Sequence, residues 1–195
     1  RANGGVCTYS NNMVAVGAGN STACIINGIL EQSGTNNFYH NSVYVGGAPT
    51  TGTGNSFAFS SVVLTNTRVY QDNIFYNARS NSGATGKNYA VSVAGTTPNP
   101  AGLTINYNLY YTTGAGSVFG LFNALDVSNL NGWRTAVGQD ANSLFGNPQF
   151  EDPNNATPDL HLDNAIATPA EQLGSNMGVT QDYDGQTRSS ITPVD

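Results

Sequence analysis

The feature that most constrains this chain is a short pattern that recurs. An Asn leads an apolar alternation in "NMVAVG" from Asn12, "NSVYVG" from Asn41, "NIFYNA" from Asn73 and "NLYYTT" from Asn108. The copies start 29, 32 and 35 residues apart (12 to 41, 41 to 73, 73 to 108), a drift expected where loops gain or lose residues while strands keep register. Three residues before each Asn stands a bulky apolar residue: Tyr9, Phe38, Tyr70 or Ile105. A second short apolar stretch follows each copy, "CIINGI", "SFAFSS", "YAVSVAG" and "SVFGLF", with loops of Gly, Thr, Asn and Pro between them.

A period near 30 residues with two or three short strands and no helical periodicity calls for an all-β solenoid, a right-handed parallel β-helix. A single coil cannot bury its own inner face; stacking coils buries a continuous column and pairs each backbone with the rung above or below. Alternation places Val14 and Val16, and Val43 and Val45, on one side of their strands. Asn12, Asn41, Asn73 and Asn108 then occupy one corner of successive coils, where stacked amides can hydrogen-bond along the axis as a ladder. An antiparallel sandwich with these Asn as turn formers is the competing arrangement, and the common phase of four copies argues against it. Regular coils are expected over residues 1–123. From 124 to 195 an excursion and irregular coils are expected: the only Trp lies there, with a short helix between Leu125 and Val137 opened by Asp126 or Ser128.

Composition narrows the function classes. Hydrophobic residues make up 38% of 195, enough for a core, while charged residues make up only 9%, with one Lys (Lys87) and a net charge of -6. Six scattered basic residues cannot form the patch a nucleic acid requires. No apolar run is long enough to span a membrane as a helix. The abrupt opening "RANGGVC" reads as a piece of a longer protein, and the low-charge, Asn/Thr/Gly-rich composition points to a secreted or cell-surface location. In an oxidising compartment Cys7 and Cys24 would form a disulfide; two buried free thiols account for the same pair.

Catalysis is not expected. A polysaccharide lyase needs a basic residue of lowered pKa beside calcium-holding carboxylates, yet Lys87 lies in a Gly/Ser loop and Arg68 and Arg79 read as structural partners of Asp72. A glycosidase needs two or three carboxylates on one cleft, and the first 124 residues contain only Glu31 and Asp72. The "DYDG" turn, with Asp182 and Asp184, resembles part of a calcium loop without its closing Glu; pairing of either Asp with Arg188 is the plainer alternative. His161 reads as a hydrogen-bonded structural residue. What remains is a surface. Tyr39, Tyr44, Tyr76, Tyr110 and Tyr111 are candidates to stack on glycan rings or meet surface proteins, or else to form internal stacks. Open coil ends would accept adjoining coils or other copies of the chain.

The run "NSLFGNPQFEDPNNATPDLHL", followed by "ATPAEQLG" and "DYDGQTR", with "NNFYHNSVYVGG" and "DNIFYNARS" upstream, resembles large secreted parallel β-helix repeat proteins of Bacteroidetes-type bacteria, of the pectate-lyase-like superfamily. Phe150, the Asp159 to Leu162 strand, and Asp182, Asp184, Gly185 and Arg188 carry the resemblance over most of the chain. Asn147 stands where that family usually has Asp, and "TPAEQLG" replaces its usual Ile-Asp before Gly. The resemblance implies a non-catalytic, adhesin-like or structural rod, often ahead of an anchoring or sorting domain. The alternative it leaves is part of a polysaccharide-active lyase or glycoside hydrolase.

Overall fold

In the computed structural model, which describes residues 1–96, 98–171 and 173–188, the chain is a parallel β-solenoid of about four turns. The first coil runs through β1 (Ala2–Ser10), β2 (Met13–Val16), the two-residue β3 (Thr22–Ala23) and the first half of β4 (Ile26–Tyr39). The second half of β4 opens the next coil, followed by β5 (Ser42–Val45), β6 (Thr51–Gly52) and β7 (Ser56–Ser61). Then come β8 (Arg68–Gln71), β9 (Ile74–Asn77) and β10 (Asn88–Val93), and finally β11 (Leu103–Asn106), β12 (Leu109–Thr112) and β13 (Ser117–Phe122).

Three walls result. Wall one stacks β1, the second half of β4, β8 and β11; wall two stacks β2, β5, β9 and β12; wall three stacks the first half of β4, β7, β10 and β13, all in parallel. Tyr9, Phe38, Tyr70 and Ile105 are direct partners in wall one and face inward, and Tyr9 lies flat on Phe38 with ring centroids 4.9 Å apart. Val14, Val43, Phe75 and Tyr110 form the matching column of wall two. Aromatic and β-branched residues suit this pleated, two-sided packing better than any helix.

Two buried guanidiniums stitch the loops between walls. Arg68 donates to the carbonyls of Asn66 and Ala101, both at 2.9 Å, and Arg79 donates to the Thr22 carbonyl at 2.7 Å and to Asn20 Oδ1 at 2.9 Å. Neither makes an ion pair with Asp72, contrary to the sequence expectation; each is fully buried among backbone oxygens that a planar fork of donors satisfies well. Glu31 is likewise interior, accepting from Asn36, Ser61 and the Tyr70 hydroxyl.

The C-terminal end is closed. The chain reverses into β14 (Leu125–Val127), antiparallel to β13, and then forms α1 (Leu130–Val137). The helix cap is Asn129, whose Oδ1 accepts from Gly132 N at 2.9 Å, and not Asp126 or Ser128; Asp126 lies on β14 and meets Lys87 and Tyr89 instead. Trp133 packs beneath Tyr110, Phe119 and Phe122, and Gly120 leaves the space: a Cβ there would come within 2.9 Å of the indole. β15 (Leu144–Phe145) adds a last rung to wall two.

Beyond this cap the structure departs from the expected irregular coils. β16 (Phe150–Asp152) and β17 (Asp159–Leu162) pair antiparallel and run back as a strap over the outer face of wall two. That face carries Met13, Ala15, Tyr44, Ile74 and Tyr76, and Phe150, Leu160 and Leu162 cover it. Apolar side chains on the outside of one wall require such a cover, whereas a fifth regular coil would leave them in water.

Candidate functional site

The corner between walls one and two repeats a two-residue device. Asn11, His40, Asp72 and Tyr107 each adopt a left-handed backbone with φ between 51° and 58°, and each is followed by an Asn of the repeat. Asn, Asp and His tolerate this conformation better than most residues; Tyr107 is the exception. The following Asn side chains form a continuous series. Asn12 Nδ2 donates to Asn41 Oδ1 at 2.7 Å, Asn41 Nδ2 to Asn73 Oδ1 at 2.8 Å, and Asn73 Nδ2 to Asn108 Oδ1 at 3.0 Å. Each of these oxygens also accepts the backbone N–H of the Asn in the rung before, and Asn108 N donates to Ser143 Oγ at 2.7 Å.

The left-handed residues form a second column outside this series, and the strap docks on it. Asp72 accepts from Ser175 N at 3.0 Å and Ser175 Oγ at 2.9 Å. Asn11 Nδ2 donates to the Gln181 carbonyl at 2.6 Å, and Asn11 Oδ1 accepts from Arg188 at 2.9 Å. His40 lies between them, its side chain only 3% exposed, with Nε2 at 3.9 Å from Asp72 Oδ2 and making no hydrogen bond among the described residues. Burial, reinforced by the Arg188 charge, pushes the His40 imidazole down to about 4. Burial pushes Asp72 up to about 6, against the opposing pull of the Ser175 bonds and Arg188.

Column and strap enclose a cleft of about 200 Å³, lined by His40, Asp72, Met13, Ile74, Leu160 and His161 among others. On the strap, His161 stands between two carboxylates: Nδ1 is 2.5 Å from Asp159 Oδ1 and Nε2 is 3.0 Å from Asp184 Oδ2. The bond to Asp159, with Asp184 adding to it, raises the His161 pKa. Each carboxylate here already has a partner, because Asp182 Oδ1 accepts Gln186 N at 2.7 Å. Asp182 and Asp184 are thus directed to different groups. Among the described residues no cluster of three or more His, Cys, Asp or Glu is arranged to hold a metal.

The tyrosines separate. Tyr110 is wholly interior, its hydroxyl donating to Asp140, and Tyr44 lies under the strap, donating to Asn154 at 2.7 Å; neither is open to a glycan. Tyr76 and Tyr111 meet at a tilt of 52° with ring centroids 4.9 Å apart on the outside of wall two, where Phe150 also packs against Tyr76. Tyr39 stands half-exposed on the outer face of wall one. Cys7 and Cys24 are free thiols, the first on β1 in wall one and the second exposed beside β3, so no bridge joins them. Sequence reasoning passed over His40 and Asp140. The signal for the first was present in the pairs "NN", "HN", "DN" and "YN" at the corner; nothing local marked Asp140 as buried.

Comparison with known proteins finds no matching family model, curated protein or solved structure.

Proposed function

We propose that this chain is a non-catalytic, rod-like segment of a secreted or cell-surface protein, adhesive or structural in role, with glycans as the partners its open face suits. The observation that carries this reading is the outer face of wall one. There Thr8, Asn37, Val69 and Thr104 stand in register, as do Ser10, Tyr39, Gln71 and Asn106, on the side opposite the inward column of Tyr9, Phe38, Tyr70 and Ile105. Apart from Val69, these rows of amide and hydroxyl groups, repeating at the strand spacing of about 4.8 Å, offer hydrogen bonds to sugar hydroxyls, and Tyr39 offers a ring to a pyranose face. The low charge of the chain, 9% of residues, favours neutral polysaccharides over ionic partners.

The test is a panel of neutral and acidic polysaccharides, with and without calcium, scored together for binding and for new reducing or unsaturated ends. Binding without product, weakened by Tyr39→Ala, supports the reading. Product formed at a rate that follows protein concentration overturns it.

The second reading, part of a polysaccharide-active enzyme, is favoured by the neighbouring His40 and Asp72, whose pKa values are displaced in opposite senses inside a cleft. It requires product formation that His40→Ala abolishes.

A further inference from the structure

One coil joins the next through three features: the Asn series, the inward columns and the paired strand edges. The first rung presents all three without a partner. Asn41, Asn73 and Asn108 are buried, and each side-chain oxygen accepts two N–H groups from the rung before, whereas Asn12 is exposed and its Oδ1 accepts nothing among the described residues. Phe38, Tyr70 and Ile105 are buried, yet Tyr9 above them is only half so; the same holds for Val14 and Val16 over Val43 and Val45. β1 pairs only with β4, and β2 only with β5, which leaves one edge of each unpaired among the described residues.

Among the described residues neither charge nor Pro guards that edge, and its one irregularity of register lies between Ala2 and Val6. Monomeric proteins protect a terminal strand with charge, Pro or a bulge. The strands Ala2–Ser10 and Met13–Val16 hold neither a charged residue nor a Pro. The kink at Gly4 and Gly5 is matched one rung below by Gly34, where a Cβ would come within 2.8 Å of the Gly5 carbonyl, so it is a shared corner of the stack.

We propose that the N-terminal rung is a docking edge for one further parallel β-coil, placed immediately before β1, that carries a bulky apolar residue three positions ahead of a corner Asn. That Asn would donate its N–H groups to Asn12 Oδ1, and the apolar residue would stack on Tyr9, as Tyr9 does on Phe38. A second copy of the chain cannot supply such a coil from its C-terminal end, which β14 and α1 close. Two N-terminal ends face to face would set the two Asn12 oxygens against each other. The inference stands on rung geometry and holds whatever the rod binds.

The test inserts a duplicate of residues 2–30 between Arg1 and Ala2 of the full chain; its 29 residues equal the Asn12 to Asn41 spacing. The expected result is amide exchange in the original β1 and β2 slowed by about tenfold or more. Asn→Ala at the duplicate's corner position removes most of that protection. A duplicate that exchanges like unfolded chain, while the other coils stay protected, overturns the proposal. So does an unmodified chain that sediments as a dimer with β1 already protected, since a second copy would then fill the edge. Protection of β1 in the unmodified chain that disappears on deleting residues 189–195 would assign the edge to the chain's own end, with the same consequence.

Discussion

At the C-terminal end of the solenoid Ser143 stands where a fifth Asn would continue the series, and its hydroxyl turns to Asp140; at the N-terminal end Asn12 has no such terminator among the described residues. Asp140 is a buried carboxylate that accepts from Tyr110 and Trp133 at 2.7 and 2.8 Å, while the Arg134 guanidinium donates to the carbonyl of Ser143 at 2.6 Å. The closed end thus ends the stack with polar groups satisfied inside and a helix outside. Solenoids need such atypical terminal units, because a regular coil always exposes half of its interface. Here one end has that unit and the other shows a regular coil.

The largest effect is expected from breaking the closed end. Asp140→Ala leaves the Trp133 N–H and Tyr110 hydroxyl without an acceptor and should cost about 3 kcal/mol or more in urea unfolding. A loss below about 1 kcal/mol would mean that the cap is not what ends the stack.

Next comes the ladder itself, probed at both ends. Asn73→Ala strips donors and an acceptor from a buried corner and should cost about 2 to 3 kcal/mol, whereas Asn12→Ala at the exposed rung should cost less than about 1 kcal/mol. Equal losses would erase the distinction between a finished and an unfinished end.

Acid sharpens the comparison by acting on the strap, which reaches the first two coils through Asn11 and His40. The His40 pKa falls from 6.5 to about 4 on folding, so its contribution is complete above pH 6.5 and is lost as the pH drops toward 4. Asp72 rises from 3.8 to about 6, so its contribution has the opposite sign: it is present below 3.8 and lost as the pH climbs through 6. Asp72→Asn keeps an acceptor for Ser175 and should raise the melting temperature at pH 7.5, with the gain gone at pH 4. His40→Gln should flatten the fall in melting temperature between pH 6.5 and 4. If neither variant alters the pH profile, the strap is not held by this column.

The smallest effect belongs to Lys87, whose side chain is half-exposed beside Asp126 on the outside of the cap. Lys87→Ala should change stability by less than about 1 kcal/mol. A larger change would extend the closed end outward to this surface pair.

How far the sequence reaches differs between coils and strap. The corner Asn and the apolar residue three places earlier form register columns in the structure, because a stacked coil repeats one chemical environment every 29 to 35 residues and leaves a periodic trace. The sequence expects the helix between Leu125 and Val137; it ends at Val137 but begins at Leu130, since Asn129 supplies the side-chain acceptor and Leu125–Val127 pairs as a strand. Tyr44 and Tyr76 illustrate the limit. On their own strands they alternate outward like any solvent-facing residue, and only the return of Phe150 and Leu160 covers them.

The solenoid, its period and its repeated corner are written in the residues, because each rung must meet the same neighbours and therefore must repeat the same side chains. Which face is covered, where the cap closes the stack and which ionisable groups are withdrawn from water depend on how distant segments pack together. Glu31, Arg68, Arg79 and Asp140 are buried by partners between two and fifty-nine residues away. His40 and Asp72 form a cleft only because a segment more than a hundred residues later folds back on them, as the Ser175 to Asp72 bonds span 103 residues. A contact made once, at that distance, leaves no period for a single sequence to display.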